Sequence, residues 1–197
     1  MRSFIAHEWG KHRSLLYHLP MPSGLRRYQT SGHDHFLTFT CYHRLAFLDD
    51  IFARTSFEQT LEILRARHEF HVFGYVIMPN HVHLLVSEPR RHLLADTLRA
   101  LKTETSKRLK QGRPHFWQRR YYDRNIITQT EFIEKLRYIH RNPVTEGLVE
   151  HPEDWAWSSY SHWLTGGRGR VEVESHWTRS TREESLAAIE RKPGVAD

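Results

Sequence analysis

Residues 71–87 read HVFGYVIMPNHVHLLVS. Two apolar runs rich in β-branched residues flank Pro79-Asn80, a turn dipeptide, so the segment predicts a hairpin of strands over 71–78 and 81–87. Working outward, residues 35–42 (HFLTFTCY) alternate Thr with apolar and aromatic residues and predict an earlier strand. Residues 115–128, with Trp117, Tyr121, Tyr122, Ile126 and Ile127, predict a later, less regular one. Phe57, Leu61 and Leu64 fall at helical spacing, which predicts a helix over 51–69 opened by Asp49 or Asp50. Leu94, Leu98, Leu101 and Leu109 predict a second helix over 92–110, closed by Gly112 and Pro114. A third is expected over 131–142, capped by Thr130 and ended or kinked by Pro143. The order β-α-β-β-α-β followed by a helix predicts an α+β fold. Its centre is a ferredoxin-like, split βαβ antiparallel sheet with helices on one face and the other face free.

The flanks differ from this centre. Residues 1–23 read as an arm broken by Pro20, Pro22 and Ser23, and residues 24–165 as one domain. From Gly166 the stretch GGRGR loses the pattern, so 166–197 is expected to be a flexible tail, with a short helix possible over 183–191. The 197 residues, 39% hydrophobic and 26% charged, exclude wholesale disorder and a collagen-like chain. No apolar run is long enough for a membrane span, and the charged N-terminus has no signal-peptide core. Cys41 is the only cysteine, which excludes an internal disulfide and a zinc site of several thiolates; it is expected to be a buried structural thiol. A cytoplasmic location is the expectation that follows.

Lys and Arg number 29 against 23 Asp and Glu, a net charge of +6. With 12% aromatic residues, this balance points to nucleic acid. The cations concentrate over 90–124, interleaved with rings. Arg119, Arg120 and Arg124 are candidate phosphate contacts and Trp117 a candidate base-stacking residue. No P-loop, H-E-x-x-H or G-x-S-x-G pattern occurs.

The pattern Pro79-Asn80-His81-Val82-His83 carries the sharper chemistry. On a strand, His81 and His83 project to one face, where two imidazoles can share one divalent ion; the plain alternative is two exposed histidines at a strand start. In the third helix Phe132, Leu136 and Ile139 form the packed stripe. Tyr138 lies about 200° from Leu136 and is expected to point away from the core, sharing a face with Asn142. That face joins a hydroxyl to a possible oxygen ligand. Laid on the free sheet face, it would meet the two histidines. His140 lies about 200° round from Tyr138, which argues against it as a base.

Four segments then resemble a known family: YVIMPNHVHLL (75–85), FWQRRYYD (116–123), YIHRNPVTEGLV (138–149) and WSSY (157–160). In this order they resemble the HUH-type single-tyrosine transposases of bacterial insertion sequences. The GLRRY lead-in (24–28) and the Asn-Pro-Val segment resemble the REP-associated tyrosine transposase branch. The resemblance covers roughly residues 24–162. It implies a ferredoxin-like fold, His81 and His83 as metal ligands, Asn142 as a third, amide-type ligand, and Tyr138 as nucleophile. Insertion-sequence members often carry Gln where Asn142 stands. The implied cofactor is Mg²⁺ or Mn²⁺. The implied partner is single-stranded DNA with hairpin ends, cut and rejoined through a 5′-phosphotyrosine by a monomer or homodimer. The rival expectation from composition is a non-catalytic single-strand binder on the same sheet; another is a hydrolase using the two histidines and a water.

Overall fold

The alternation in the central hairpin is realised as a four-stranded antiparallel sheet. The computed structural model describes residues 30–190; the arm expected over 1–23 lies outside the described residues. The strands are β1 (Asp34–Thr40), β2 (Val72–Ile77), β3 (His81–Val86) and β4 (Tyr122–Ile126), in the order β2-β3-β1-β4. The register pairs Thr40 with His81 and Thr38 with His83, and on the other side of β1 it pairs Leu37 with Asp123. This is the split βαβ order expected from the sequence.

Period-2 alternation sends β1 and β3 side chains to two different layers. Leu37, Phe39, Val82, Leu84 and Val86 meet α1 (Ile51–His68) and α2 (Leu94–Leu109), which supply Phe57, Leu61, Leu64, Leu98 and Leu101. Burying such side chains contributes roughly 2 kcal/mol each. Asp50 caps α1 by accepting a hydrogen bond from the Ala53 amide at 2.7 Å. Cys41 is buried in this layer, and burial pushes its thiol up to about 12. The opposite face carries Phe36, Val76, Met78 and Leu85 and is covered by α3 (Gln129–Thr145) through Ile139, Leu136 and Phe132. With both faces covered, every residue of β3 is buried, the two histidines included.

The third helix differs from expectation at both ends. Its cap is Thr128, not Thr130: Thr128 Oγ1 accepts from the Glu131 amide at 3.2 Å, and Glu131 in turn accepts from the Ile127 amide. The helix continues through Pro143 to Thr145, since a proline so near the end disrupts few backbone bonds. Close approach to β2 is permitted at Gly74, where a Cβ would stand 2.6 Å from Leu136 Cδ1.

The outer edge of β2 is covered. Ile77 and Ser159 donate backbone bonds to Trp157 and Tyr75, and the Glu174 amide donates to Val72. Trp155 and Trp163 donate ring N–H bonds to the Ile77 and Phe73 carbonyls. Here the expected flexible tail is corrected over 166–190, and its remainder, 191–197, lies outside the described residues. Residues 171–175 pack with Val171 and Val173 buried, and α5 spans His176–Glu190 after α4 (Tyr160–Thr165). Val171 and Val173 fall on one face of an extended run bonded to β2, which gives this glycine-rich stretch a reason to order. No helix among the described residues is long and apolar enough to cross a membrane.

Candidate active site

The end of the β3 hairpin and the middle of α3 meet over one spot. His81 and His83 project from alternate positions of β3, and their Nε2 atoms are 3.1 Å apart. His81 is 8% and His83 4% exposed, so these are not surface histidines. His81 Nδ1 lies 2.6 Å from Asn80 Oδ1, and His83 Nδ1 lies 2.7 Å from Thr38 Oγ1. An amide oxygen only accepts, so Nδ1 of His81 donates and its Nε2 keeps the lone pair. Phe36 stacks on the His83 ring at 5.5 Å. Burial lowers the His81 pKa to about 4, aided by the charge of Arg44 and opposed by the Asn142 side chain. Burial, then the charges of His81 and Lys135, hold His83 well below the ordinary range. Both rings are therefore neutral near pH 7.

Tyr138 arrives from α3. Its hydroxyl is 3.5 Å from His83 Nε2 and its ring centroid 5.0 Å from that of His83, edge to face. The expectation that it points away from the core is corrected: Tyr138 packs in the same layer as Leu136 and Ile139. The buried face of α3 is wide enough for two stripes. Phe132, Leu136 and Ile139 join the apolar cluster with β2, while Lys135, Tyr138 and Asn142 lie over the β1–β3 side. Lys135 Nζ sits 5.0 Å from the Phe36 ring centre and 5.9 Å from that of Tyr138. Burial and the charge of Arg124 lower its pKa. His140 takes another direction. It lies 2.9 Å from Ser159 Oγ, and burial lowers its pKa to about 3. Ser159 Oγ also accepts from the Tyr75 amide at 3.0 Å, so one hydroxyl ties α3 to β2.

Three neutral donors converge here. Asn142 is 2% exposed, and its Oδ1 is a buried oxygen with no hydrogen-bond partner. A buried polar atom without a partner is costly unless something else satisfies it. The 3.1 Å between the two Nε2 atoms is close to the separation of adjacent ligands on an octahedral ion with bonds of about 2.1 Å. Each ring's other nitrogen is held by an oxygen, the outer-shell arrangement typical of metal-bound imidazole. The residues present fit a divalent cation.

Beside His81 runs the turn from β1 to α1. His43 and Arg44 both have left-handed backbone, at φ 53° and φ 58°. For residues with a Cβ this costs about 1–2 kcal/mol each.

The expected nucleic-acid contacts fare unequally. Trp117 is corrected: it is 8% exposed, packs edge-on against Phe39 in the α1/α2 layer and donates its N–H to the Lys102 carbonyl, so its ring offers no face to a base. Arg119 and Arg120 are exposed, in the segment where the Gln118 amide bonds to Thr40 at the histidine end of the sheet. Arg124 lies on the α3 face and is paired with Glu131. Thr38, Asn80, Phe36, Lys135 and Arg44 went unread in the sequence. Only Thr38 left a signal, as a polar residue alternating on a strand.

A buried imidazole pair under a helix-borne phenol, on a split βαβ sheet, accords with the family match. Residues 29–142 match the family described as IS200-like transposases, and the chain belongs to that family. Its relatives lie among the REP-associated tyrosine transposases. A Haemophilus influenzae protein provisionally named as one is 30% identical over 154 residues, covering 70% of this chain and 85% of that protein. The Escherichia coli K12 REP-associated tyrosine transposase is 25% identical over 140 residues, covering 70% of this chain and 82% of the relative. The fold is similar to that of a REP-associated tyrosine transposase solved bound to a REP hairpin. That likeness has a TM-score of 0.64 and 21% identity, over 78% of this chain and 93% of that one.

Proposed function

We propose that this transposase cuts and rejoins single-stranded DNA near hairpins through a covalent bond to Tyr138. The observation that carries the reading is the Tyr138 hydroxyl 3.5 Å from His83 Nε2, beside a second imidazole and the unpartnered Asn142 Oδ1. His81, His83 and Asn142 would hold Mg²⁺ or Mn²⁺. Because all three are neutral, a bound ion would keep its full charge for stabilising a phosphate oxygen. Asn80 and Thr38 orient the imidazoles. Tyr138 Oη attacks phosphorus in line, giving its proton to water. The Oη–P bond forms as the bond to the 3′-oxygen breaks, and that oxygen takes a proton from solvent. The 5′-phosphate stays on Tyr138, as the family resemblance implies. Attack by another 3′-hydroxyl reverses the step and joins strands, so no nucleotide is consumed. The choice of hairpin DNA rests on the REP hairpin held by the structural relative.

The test uses hairpin oligonucleotides labelled on either side of the junction, with Mn²⁺, resolved under denaturing conditions. The expected result is that the strand 3′ of the junction becomes protein-linked while the strand 5′ of it is released with a free 3′-hydroxyl, and that Tyr138→Phe abolishes the adduct while hairpin binding persists. Cleavage surviving Tyr138→Phe would replace this reading with metal-dependent hydrolysis. Binding with no adduct in the wild type would replace it with a plain binding module.

A further inference from the structure

The β1–α1 turn carries a cation with no counter-charge. Among the described residues, the Arg44 side chain makes no ion pair and no hydrogen bond, and it is exposed. Its position is imposed rather than incidental. The Cys41 amide donates to the Asn80 carbonyl at 2.8 Å, so the turn leaves the sheet beside the residue preceding His81. The Tyr42 amide donates to the Phe116 carbonyl at 2.8 Å. The Tyr42 ring packs at 4.1 Å on His43 and 4.9 Å on His115. Between these anchors His43 and Arg44 are held in two successive left-handed conformations. Such backbone persists only where its surroundings over-determine it, and it gathers at ligand-contacting sites.

The donors of the site that this turn flanks, His81, His83 and Asn142, are neutral, so none of them answers its charge. An anion is the missing partner, and in a strand of DNA the anion is phosphate. We infer that Arg44 grips a non-bridging oxygen of the phosphate that Tyr138 attacks. This rests on the tyrosine-transfer reading above. A guanidinium offers paired N–H donors to such an oxygen and stays charged as negative charge builds there.

Glycine adopts a φ of 58° freely, so Arg44→Gly removes the charge while relieving the backbone, and it is expected to melt no lower than wild type. Arg44→Asn, which also tolerates this conformation, checks that loosening the turn is not the cause of any effect. With hairpin DNA and Mn²⁺, both variants are expected to form the Tyr138 adduct roughly 100-fold more slowly, with Arg44→Lys recovering part of the loss. In a Tyr138→Phe background, Arg44→Gly is expected to weaken binding to ordinary DNA. It should leave unchanged the binding of a strand whose junction phosphate is a neutral methylphosphonate. A structural role would weaken both equally and overturn the inference. So would a charge effect that maps to a neighbouring linkage, or adduct formation by Arg44→Gly at the wild-type rate. A wild-type protein that never links to DNA would instead remove the tyrosine-transfer reading, and this inference with it.

Discussion

The two faces of the sheet bury the same side chain and push its pKa in opposite directions. On the α1/α2 face, His35 is fully buried with Nδ1 2.7 Å from Asp123 and Nε2 3.3 Å from Glu88. Burial pushes it down, but the bonds and charges of these two carboxylates outweigh burial and raise its pKa. On the α3 face, His81 and His83 are buried beside an amide, a hydroxyl and each other, no carboxylate faces them, and the Asn142 side chain offsets only part of the cost of charging His81. Depth in the sheet does not set the state of an imidazole; its neighbour does. One face favours the protonated imidazole by setting it between two carboxylates, and the other favours two neutral rings with a lone pair to give.

The largest test of this contrast is on stability. Phe57→Ala, in the α1/α2 layer, is expected to cost roughly 3–5 kcal/mol in urea unfolding while the surviving folded fraction still links to DNA. Equal loss of linking per folded molecule would mean that the layers are not separable. The next test is pH. His81 titrates at about 4 when folded against an ordinary 6.5, so the unfolded chain takes up its proton first. The stability it supports is intact above pH 6.5 and is lost as pH falls toward 4, by up to roughly 3 kcal/mol. His81→Leu should flatten that limb in a series of unfolding curves. His35 has the reverse sign: its support is present below pH 6.5 and is lost as pH rises through its elevated folded value. His35→Leu leaving the alkaline limb unchanged would break the comparison. Smaller still, Thr38→Val removes the oxygen behind His83 and is expected to weaken Mn²⁺ binding about 10- to 100-fold in calorimetry, with little change in melting. The smallest effect is expected at the exposed Arg124–Glu131 pair, where Arg124→Gln should shift stability by no more than about 1 kcal/mol.

These contrasts show what the sequence discloses and what it withholds. Strict alternation in HVHLLV revealed both the strand and the shared face of the two imidazoles, because a period of 2 is a local property. Tyr138 was placed on the right helix and on the face that meets the histidines, but was expected to stand clear of the core that it in fact packs against. Angular arithmetic ranks residues around an axis, yet does not say how much of a helix its neighbours will cover. Trp117 failed for a related reason: basic residues interleaved with rings look the same whether the rings face solvent or core. Asp123 and Glu88 are 35 positions apart, and only the β1–β4 register and the path after β3 bring them to His35. The order beyond Gly166 was hidden by glycines, although Val171 and Val173 already alternate as an edge strand does.

Ser159 gives the Trp-Ser-Ser-Tyr stretch a physical meaning. Its hydroxyl takes the Tyr75 amide of β2 and meets His140 of α3, two positions along the helix from the phenol. It acts as a dowel, setting how far the helix has slid along the strand beneath it. Damage there need not melt the protein. A helix that slips by a fraction of a turn would carry the Tyr138 phenol away from the two imidazoles while both layers stay packed, leaving an assembled protein whose proposed nucleophile is out of register.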